Sequence, residues 1–259
     1  MAYDCITLTT DIGWEYASQM KGVIHSLAPQ IKIFDITHHI SPQNIRQGAF
    51  ILYSIVPYYP QAIHVAVIDP GVGTTRRSIL VECNTGALIG PDNGVLIPAG
   101  QRIGIKNVYH ITNDKYFIGD SSTFQGRDIF SPVSAHLSQG INPNDLGEKI
   151  TDPVLLTFEK SQKIPGGRKG KILYHDFFGN LITNITHQEF SPAFNTPVTL
   201  QAHNPTYQLN FLQSYGHGQY HKPLVTLSSF GFLEISCREG NAKDILGLKE
   251  DDTIFLTQP

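Results

Sequence analysis

The stretch CITLTTDIGWEYASQMKGVIHSLAPQIKIFDIT, Cys5–Thr37, sets the architecture of the first half of the chain. Its opening run, Cys5–Thr9, is apolar and β-branched, the pattern of a buried strand. Ala17–Leu27 then places Met20, Val23, Ile24 and Leu27 at the spacing of one helical face, and Ile31–Ile36 is apolar again. Strand, amphipathic helix, strand is the repeating unit of an α/β domain with a mostly parallel sheet. The pattern continues downstream, where Ile63–Ile68, Ser78–Glu82 and Ala87–Ile89 read as strands. Ser41–Pro42 reads as the cap and first residue of a helix carrying Ile45, Ala49, Leu52 and Tyr53. Arg127–Gly140 reads as a helix with Pro132 in its first turns and Gly140 as its stop.

The character changes near Gly166. KIPGGRKGK, Lys163–Lys171, reads as a loop, and closely spaced strands follow at Ile172–His175, Leu181–Ile185, Pro197–Ala202, Gln208–Phe211, Leu224–Leu227, Phe232–Ser236 and Thr253–Leu256. Only Ala242–Leu246 looks helical there. The expectation is an α/β domain over residues 1–163 and an all-β, barrel-like or sandwich domain over 164–259.

Composition narrows the function classes. Of 259 residues, 41% are hydrophobic, enough to bury a core, but only 16% are charged, below the roughly 25% of an average soluble domain. Such a surface is polar-neutral or partly covered by partner subunits. With 22 acidic against 19 basic residues the net charge is −3, which offers no footprint for nucleic acid or an anionic membrane. No run approaches the ~18 apolar residues of a membrane helix. Cys5, Cys83 and Cys237 lie far apart and in no CxxC pair, which argues against a disulfide framework and a thiolate zinc site. The acidic start MAYDCITLTTD lacks a secretory pattern, so a cytoplasmic location is expected.

Asp11, Asp35 and Asp69 each end an expected strand, at the edge of a parallel sheet where ligands bind. A carboxylate there can accept from paired ribose hydroxyls. Each alone serves equally well as a helix or turn cap, but three together favour a site. DPGVGTTRR, Asp69–Arg77, adds glycines that admit close backbone approach and a basic pair. The strand-like SILVEC after it excludes a dinucleotide loop, which needs a helix at that point. GPDNG, Gly90–Gly94, is a turn. In HDFFGNLITNI, His175–Ile185, Asp176 and Asn180 flank two aromatics in a tight turn; an amide suits a purine's edge and a phenyl its face, though a hairpin with core aromatics would look the same. His38–His39 and His217–His221 lack the helical context of paired metal ligands, so no metal is expected. No GxSxG elbow is present.

Eight ordered segments, TDIG (Thr10–Gly13), MKGVI (Met20–Ile24), DITHHI (Asp35–Ile40), VAVIDPGVGTTRR (Val65–Arg77), GPDNGVL (Gly90–Leu96), TFQGRDIFSPVSAHL (Thr123–Leu137), FGNLITNI (Phe178–Ile185) and SFGFLEI (Ser229–Ile235), resemble one family. It is that of the adenosine-forming S-adenosyl-L-methionine (SAM) hydrolases, also called SAM hydroxide adenosyltransferases, relatives of the fluorinating and chlorinating SAM enzymes. The resemblance spans residues 4 to 256. It implies an N-terminal α/β domain, a C-terminal β-barrel and a homotrimer whose site lies between one subunit's N-terminal domain and its neighbour's C-terminal domain.

By the same resemblance, SAM is the substrate and no cofactor is needed. Asp11 binds the ribose hydroxyls, Asp176 and Ser229 hold the methionine amino acid end, and Asn180 reads adenine with Phe178 stacking nearby. Asn93, Phe124 and Glu234 fall within the matched motifs and are assigned to substrate binding with them. The family's water-activating Asp/Arg/His set maps to Asp69, Arg76 and Gln125, where Gln125 departs from the usual TFHGRD. Trp14, Glu15 and Tyr16 replace a longer Lys-Asp-Pro-Tyr loop. Asp69 and Val72 separate the chain from the halogenating relatives, so the implied nucleophile is water. Gln125 cannot take the proton a histidine could; His39 is a candidate compensating base. Two readings stand at this point: a SAM hydrolase of reduced rate, or a SAM- or adenosine-binding protein with little or no turnover.

Overall fold

The computed structural model describes residues 2–119, 122–202 and 205–258. The chain divides into two compact units, Met1–Thr157 and Phe158–Pro259.

The first unit runs β1 (Cys5–Thr10), α1 (Gly13–Leu27), β2 (Lys32–Thr37), α2 (Ile45–Ile55), β3 (Ala62–Val67), β4 (Ser78–Cys83), β5 (Ala87–Pro91), α3 (Ile97–Ile103), β6 (Ile105–His110), α4 (Ser131–Ser138) and β7 (Lys149–Ile150). The sheet order is β2-β1-β3-β5-β4-β6-β7. The strands β2, β1, β3 and β5 pair in parallel, while β4, β6 and β7 complete the sheet antiparallel. The chain steps outward from β1 to β2 and returns across β1 to β3. Because such crossovers are right-handed, α1 and α2 cover opposite faces. On one face Ile6, Leu8, Ile63, Val65 and Val67 pack with Met20 and Ile24 of α1 and Val133 and Leu137 of α4.

Register aligns the strand ends that matter. Thr10 pairs with Val67 and Thr9 with Thr37, so Asp11, His38 and Asp69 emerge along one edge. Asp35 does not: it lies inside β2, level with Leu8, and its carboxylate is taken by Lys21 and His38.

Local structure departs from the sequence expectation at definable points. The cap of α2 is Asn44, whose side chain accepts from the Gln47 N–H at 3.0 Å, and not Ser41. Between them Gln43 adopts φ 66°, which interrupts any helix begun at Pro42. The segment expected as one helix over 127–140 opens with a π-helical turn, Gly126–Phe130, and becomes α-helical only at Ser131. Strands β6 and β7 carry no strong apolar alternation and were not expected.

The second unit contains β8 (Gln162–Ile164), β9 (Gly167–His175), β10 (Leu181–Thr186), β11 (Thr196–Gln201), β12 (Tyr207–Phe211), β13 (Pro223–Leu227), β14 (Phe232–Cys237), α5 (Ala242–Leu246) and β15 (Thr253–Thr257). The order β10-β14-β13-β12-β11-β15-β9 is closed by pairing of β10 with β9, giving a 7-strand barrel, with β8 appended to β9. Its interior is filled by Leu181, Val198, Leu200, Phe211, Val225, Leu233, Ile235 and Ile254. KIPGGRKGK is therefore a β8–β9 hairpin and not a loop. Its glycines serve a close approach: a side chain on Gly167 would collide with the Leu256 carbonyl of the paired β15.

Candidate active site

The loop between β3 and β4 brings Asp69 and Arg76 together. Arg76 Nε donates to Asp69 Oδ1 at 2.9 Å and Oδ2 at 3.1 Å, and Nη2 donates to Oδ2 and to Gln125 Oε1. Nη1 donates to Ser78 Oγ at 3.1 Å, and the guanidinium lies 5.5 Å from the Phe130 ring centre. The fork is nearly dry, with side-chain exposures of 5% for Asp69 and 11% for Arg76. Gly73, at φ 76°, lets this loop lie against the backbone of Ser122, close to Gln125. Arg76 has donors only, so the amide oxygen of Gln125 must face it, and the NH2 of Gln125 is what remains to meet another group.

Asp11 stands at the end of the neighbouring strand. Burial raises its carboxyl above the ordinary range, against the lowering effect of backbone N–H donors, that of Gln43 foremost, and the Asp69 charge adds to the rise. The Gln43 N–H donates to Asp11 Oδ2 at 2.7 Å, which accounts for the left-handed turn there. The two loops are stapled further by Gly13 N–H to the His38 carbonyl (3.2 Å) and Ile40 N–H to the Thr10 carbonyl (3.3 Å). Buried His38 bridges the Thr10 hydroxyl (2.9 Å) and Asp35 (3.0 Å), and Lys21 closes the chain on Asp35 at 2.8 Å. Burial alone would raise the Asp35 carboxyl, but donation from Lys21 and His38 holds it below its ordinary value. His39 Nε2 accepts from Trp14 at 2.9 Å, so the nitrogen that could act as a base is already engaged.

A cavity of about 300 Å³ is lined by Ile12, Tyr16, Thr123 and Phe124. Tyr16 and Phe124 meet edge to face at 5.3 Å, and Arg127 stacks on Phe124 at 5.3 Å. Asn93 braces the site floor from behind: its NH2 donates to the Ile68 carbonyl at 2.8 Å and its oxygen accepts the Val95 N–H at 3.2 Å. The basic pair divides its labour, since Arg77 pairs with buried Asp92 at 2.7 Å and with Asp152 at 2.8 Å.

In the second unit, Asp176 organises the β9–β10 turn. Its Oδ1 accepts the N–H groups of Phe178 and Asn180, both at 2.9 Å, and its Oδ2 accepts the Asn180 side-chain NH2 at 2.8 Å. Phe177 and Phe178 project outward, 96% and 71% exposed. A cavity of about 590 Å³ is lined by Asp176, Phe178, Asn180, Tyr215 and Cys237–Gly240. Behind it, buried Glu234 accepts from Tyr215 at 3.0 Å and from Ser236. Desolvation raises the Glu234 carboxyl despite those donors, and the Asp176 charge raises it further. Tyr215 is pushed up to about 12 by burial and by Glu234.

Ser229 is not brought to this end of the barrel. Leu181 pairs with Ile235 and Thr186 with Phe232, so the hairpin tip bearing Ser229 lies at the far end of β10 from Asp176, about 20 Å away for a six-residue strand. Tyr215 and Arg238 line the cavity although no motif marked them; Tyr215 lies in a Gly-rich stretch read only for its histidines. Among the described residues no group of three or more His, Cys, Asp or Glu side chains could hold a metal ion.

Comparison with known proteins places the chain in a family. Residues 6–147 match the model of the SAM hydroxide adenosyltransferase N-terminal domain and residues 170–255 that of its C-terminal domain. The chain is 36% identical to an (R)-S-adenosyl-L-methionine hydrolase of Methanocaldococcus jannaschii, over 98% of this chain and 95% of that one. It is 33% identical to a protein of the same name from Salinispora tropica, over 97% of each. A solved structure of an uncharacterised conserved protein from Thermotoga maritima superposes with a TM-score of 0.93 at 32% identity, covering 98% of this chain and 100% of that one. With both units matched by their own family models, the Asp69–Arg76 fork and the Asp176–Asn180 turn are features of a chain that belongs to the SAM hydroxide adenosyltransferase family.

Proposed function

We propose that this protein hydrolyses S-adenosyl-L-methionine at C5′ to adenosine and L-methionine. The observation that carries the reading is the partly buried Asp69–Arg76–Gln125 cluster beside Asp11. The names of the relatives support the substrate, and the R sulfonium epimer they specify is the one assigned here.

The water oxygen forms a bond to C5′ as the C5′–S bond breaks; its electron pair passes to sulfur, and methionine leaves as a neutral thioether. The leaving group needs no proton, so the reaction calls for no general acid and no added cofactor. The water must lose a proton, and Asp69 takes it. Arg76 cannot act as a base; it fixes Asp69 and steadies charge on the incoming oxygen. Gln125, its oxygen held by Arg76, directs its NH2 at that oxygen. In-line placement in a dry pocket can supply roughly 7–11 kcal/mol.

Asp11 holds the ribose hydroxyls, Phe124 walls the reacting centre and Asn93 holds the loop beneath it. Asn180 reads the adenine edge against a stacked Phe178, and Asp176 is assigned to the methionine end, with buried Glu234 supporting the cavity wall from behind through Tyr215; Ser229, at the far end of β10, is left out of the site. Assembly as a homotrimer, with the pocket completed across a subunit boundary, belongs to the same reading; outward-facing Phe177 and Phe178 support it. No helix among the described residues is long and apolar enough to cross a membrane, and the free thiols Cys5, Cys83 and Cys237 support a cytoplasmic location. Incubation with SAM and chromatography tests the reading: equimolar adenosine and methionine are expected, whereas intact SAM recovered after long incubation would make this a binding protein.

A further inference from the structure

Asp176 and Asn180 form a pair whose chemistry leaves one orientation. A carboxylate only accepts, so the group Asn180 turns toward Asp176 Oδ2 at 2.8 Å must be its NH2. The amide oxygen is thereby turned away from Asp176, and the second N–H beside it shares the same edge. Asp176 itself cannot rotate, because its Oδ1 is pinned by the N–H groups of Phe178 and Asn180. Both residues line the cavity of about 590 Å³, and Asn180 is 6% exposed. The turn is braced from outside: Gly179, at φ 80°, packs against the Asn241 side chain, and its carbonyl accepts the Lys243 N–H at 3.0 Å.

We infer that Asp176 is a specificity-determining positioning residue: by locking the Asn180 amide with its oxygen outward, it commits the site to a 6-aminopurine and excludes a 6-oxopurine. An asparagine edge offering oxygen and N–H side by side matches the donor–acceptor pattern of adenine's amino group and adjacent ring nitrogen. A 6-oxopurine presents an acceptor where the amino group would donate, and two acceptors then face each other with no proton between them. Asp176 acts through Asn180 and does not itself touch the base. The inference rests on the reading that Asn180 faces the purine.

The test is calorimetric binding of adenosine and inosine to the full-length protein, unsubstituted and as Asp176→Asn. The unsubstituted protein is expected to prefer adenosine by about 10- to 100-fold, the discrimination of one bidentate amide–base pair. In Asp176→Asn the substituted amide keeps its oxygen on the two backbone N–H groups and turns its NH2 toward Asn180. Asn180 then reverses, presenting NH2 to the pocket. Inosine should bind more tightly than to the unsubstituted protein and the ratio should fall to within about threefold, a gain that loss of structure does not produce. Asp176→Ser provides the second variant, and its ratio should also fall, since Asn180 is then free to turn. Discrimination kept by both variants would overturn the inference alone. No discrimination in the unsubstituted protein would overturn the Asn180 reading and this inference with it.

Discussion

Arg76 grips Asp69 as a fork, with Nε bonded to both carboxylate oxygens, at 2.9 and 3.1 Å, and Nη2 shared between Asp69 and Gln125. One guanidinium thus sets the position of the proposed base and of the side chain that departs from the family's histidine. A lysine would keep the charge and lose the planar fork. Arg76→Lys is expected to lower kcat for SAM cleavage by at least about 10²-fold, the typical loss when general-base catalysis is removed. Steady-state rates check it; a value within a few fold of the unsubstituted enzyme would show that the fork is not needed for turnover.

Gln125 is held by its oxygen, so it can donate to the nucleophile but cannot take a proton from it. Gln125→His restores a group that can do both near neutral pH, and the rate is expected to rise, by about 10²-fold at most. Gln125→Glu places a second carboxylate on Arg76 in competition with Asp69, and the rate is expected to fall. Paired rate measurements on the two variants decide this; a fall in both would mean that the pocket is adapted to the amide.

Arg77 gives the contrasting prediction. Its partner Asp92 has 2% side-chain exposure and also accepts the Val154 N–H at 2.8 Å, so the pair ties the GPDNG turn to the end of the first unit. Arg77→Ala leaves a buried carboxylate without its cation, a loss of about 2–3 kcal/mol once partial exposure of the arginine is allowed for. Denaturant melts should show that loss, while activity per folded molecule changes little; the reverse pattern would assign Arg77 to the chemistry.

Much of this was legible in the sequence, and the exceptions have physical causes. Asp11 and Asp69 were readable because β-branched runs announce strands and carboxylates after them fall at the binding edge of a parallel sheet. The α2 cap was misplaced because Ser41–Pro42 is a sound local start signal, overridden by a long-range bond from the Gln43 N–H to Asp11. The β8–β9 hairpin was hidden because its glycines, which usually mark loops, serve close strand contact against β15. The π-helical turn ahead of α4 leaves no compositional trace, yet it follows directly on Gln125. Asp176 was legible as a turn residue, but only the side-chain geometry shows it holding Asn180.

His64 supplies a pH prediction outside the site. The ring belongs to β3, level with Thr7 of the neighbouring β1, to which it is bonded at 2.8 Å; it is fully buried, and burial lowers its pKa from 6.5 to about 4. The unfolded ring therefore takes a proton before the folded one. Its contribution to stability is complete above pH 6.5 and is lost as pH falls toward 4, by about 1.4 kcal/mol per unit and about 3 kcal/mol in all. Chemical melts between pH 7 and 4 should show His64→Asn losing less stability than the unsubstituted protein over that window; parallel curves would contradict the assignment.

The central claim is that water attacks C5′ of SAM. It is tested most directly by turnover in ¹⁸O-labelled water, followed by mass spectrometry of the adenosine. Label in the 5′-hydroxyl of adenosine, formed in step with methionine and lost in Asp69→Asn, is the predicted result. Adenosine without label, or no adenosine above the enzyme-free background, would contradict it.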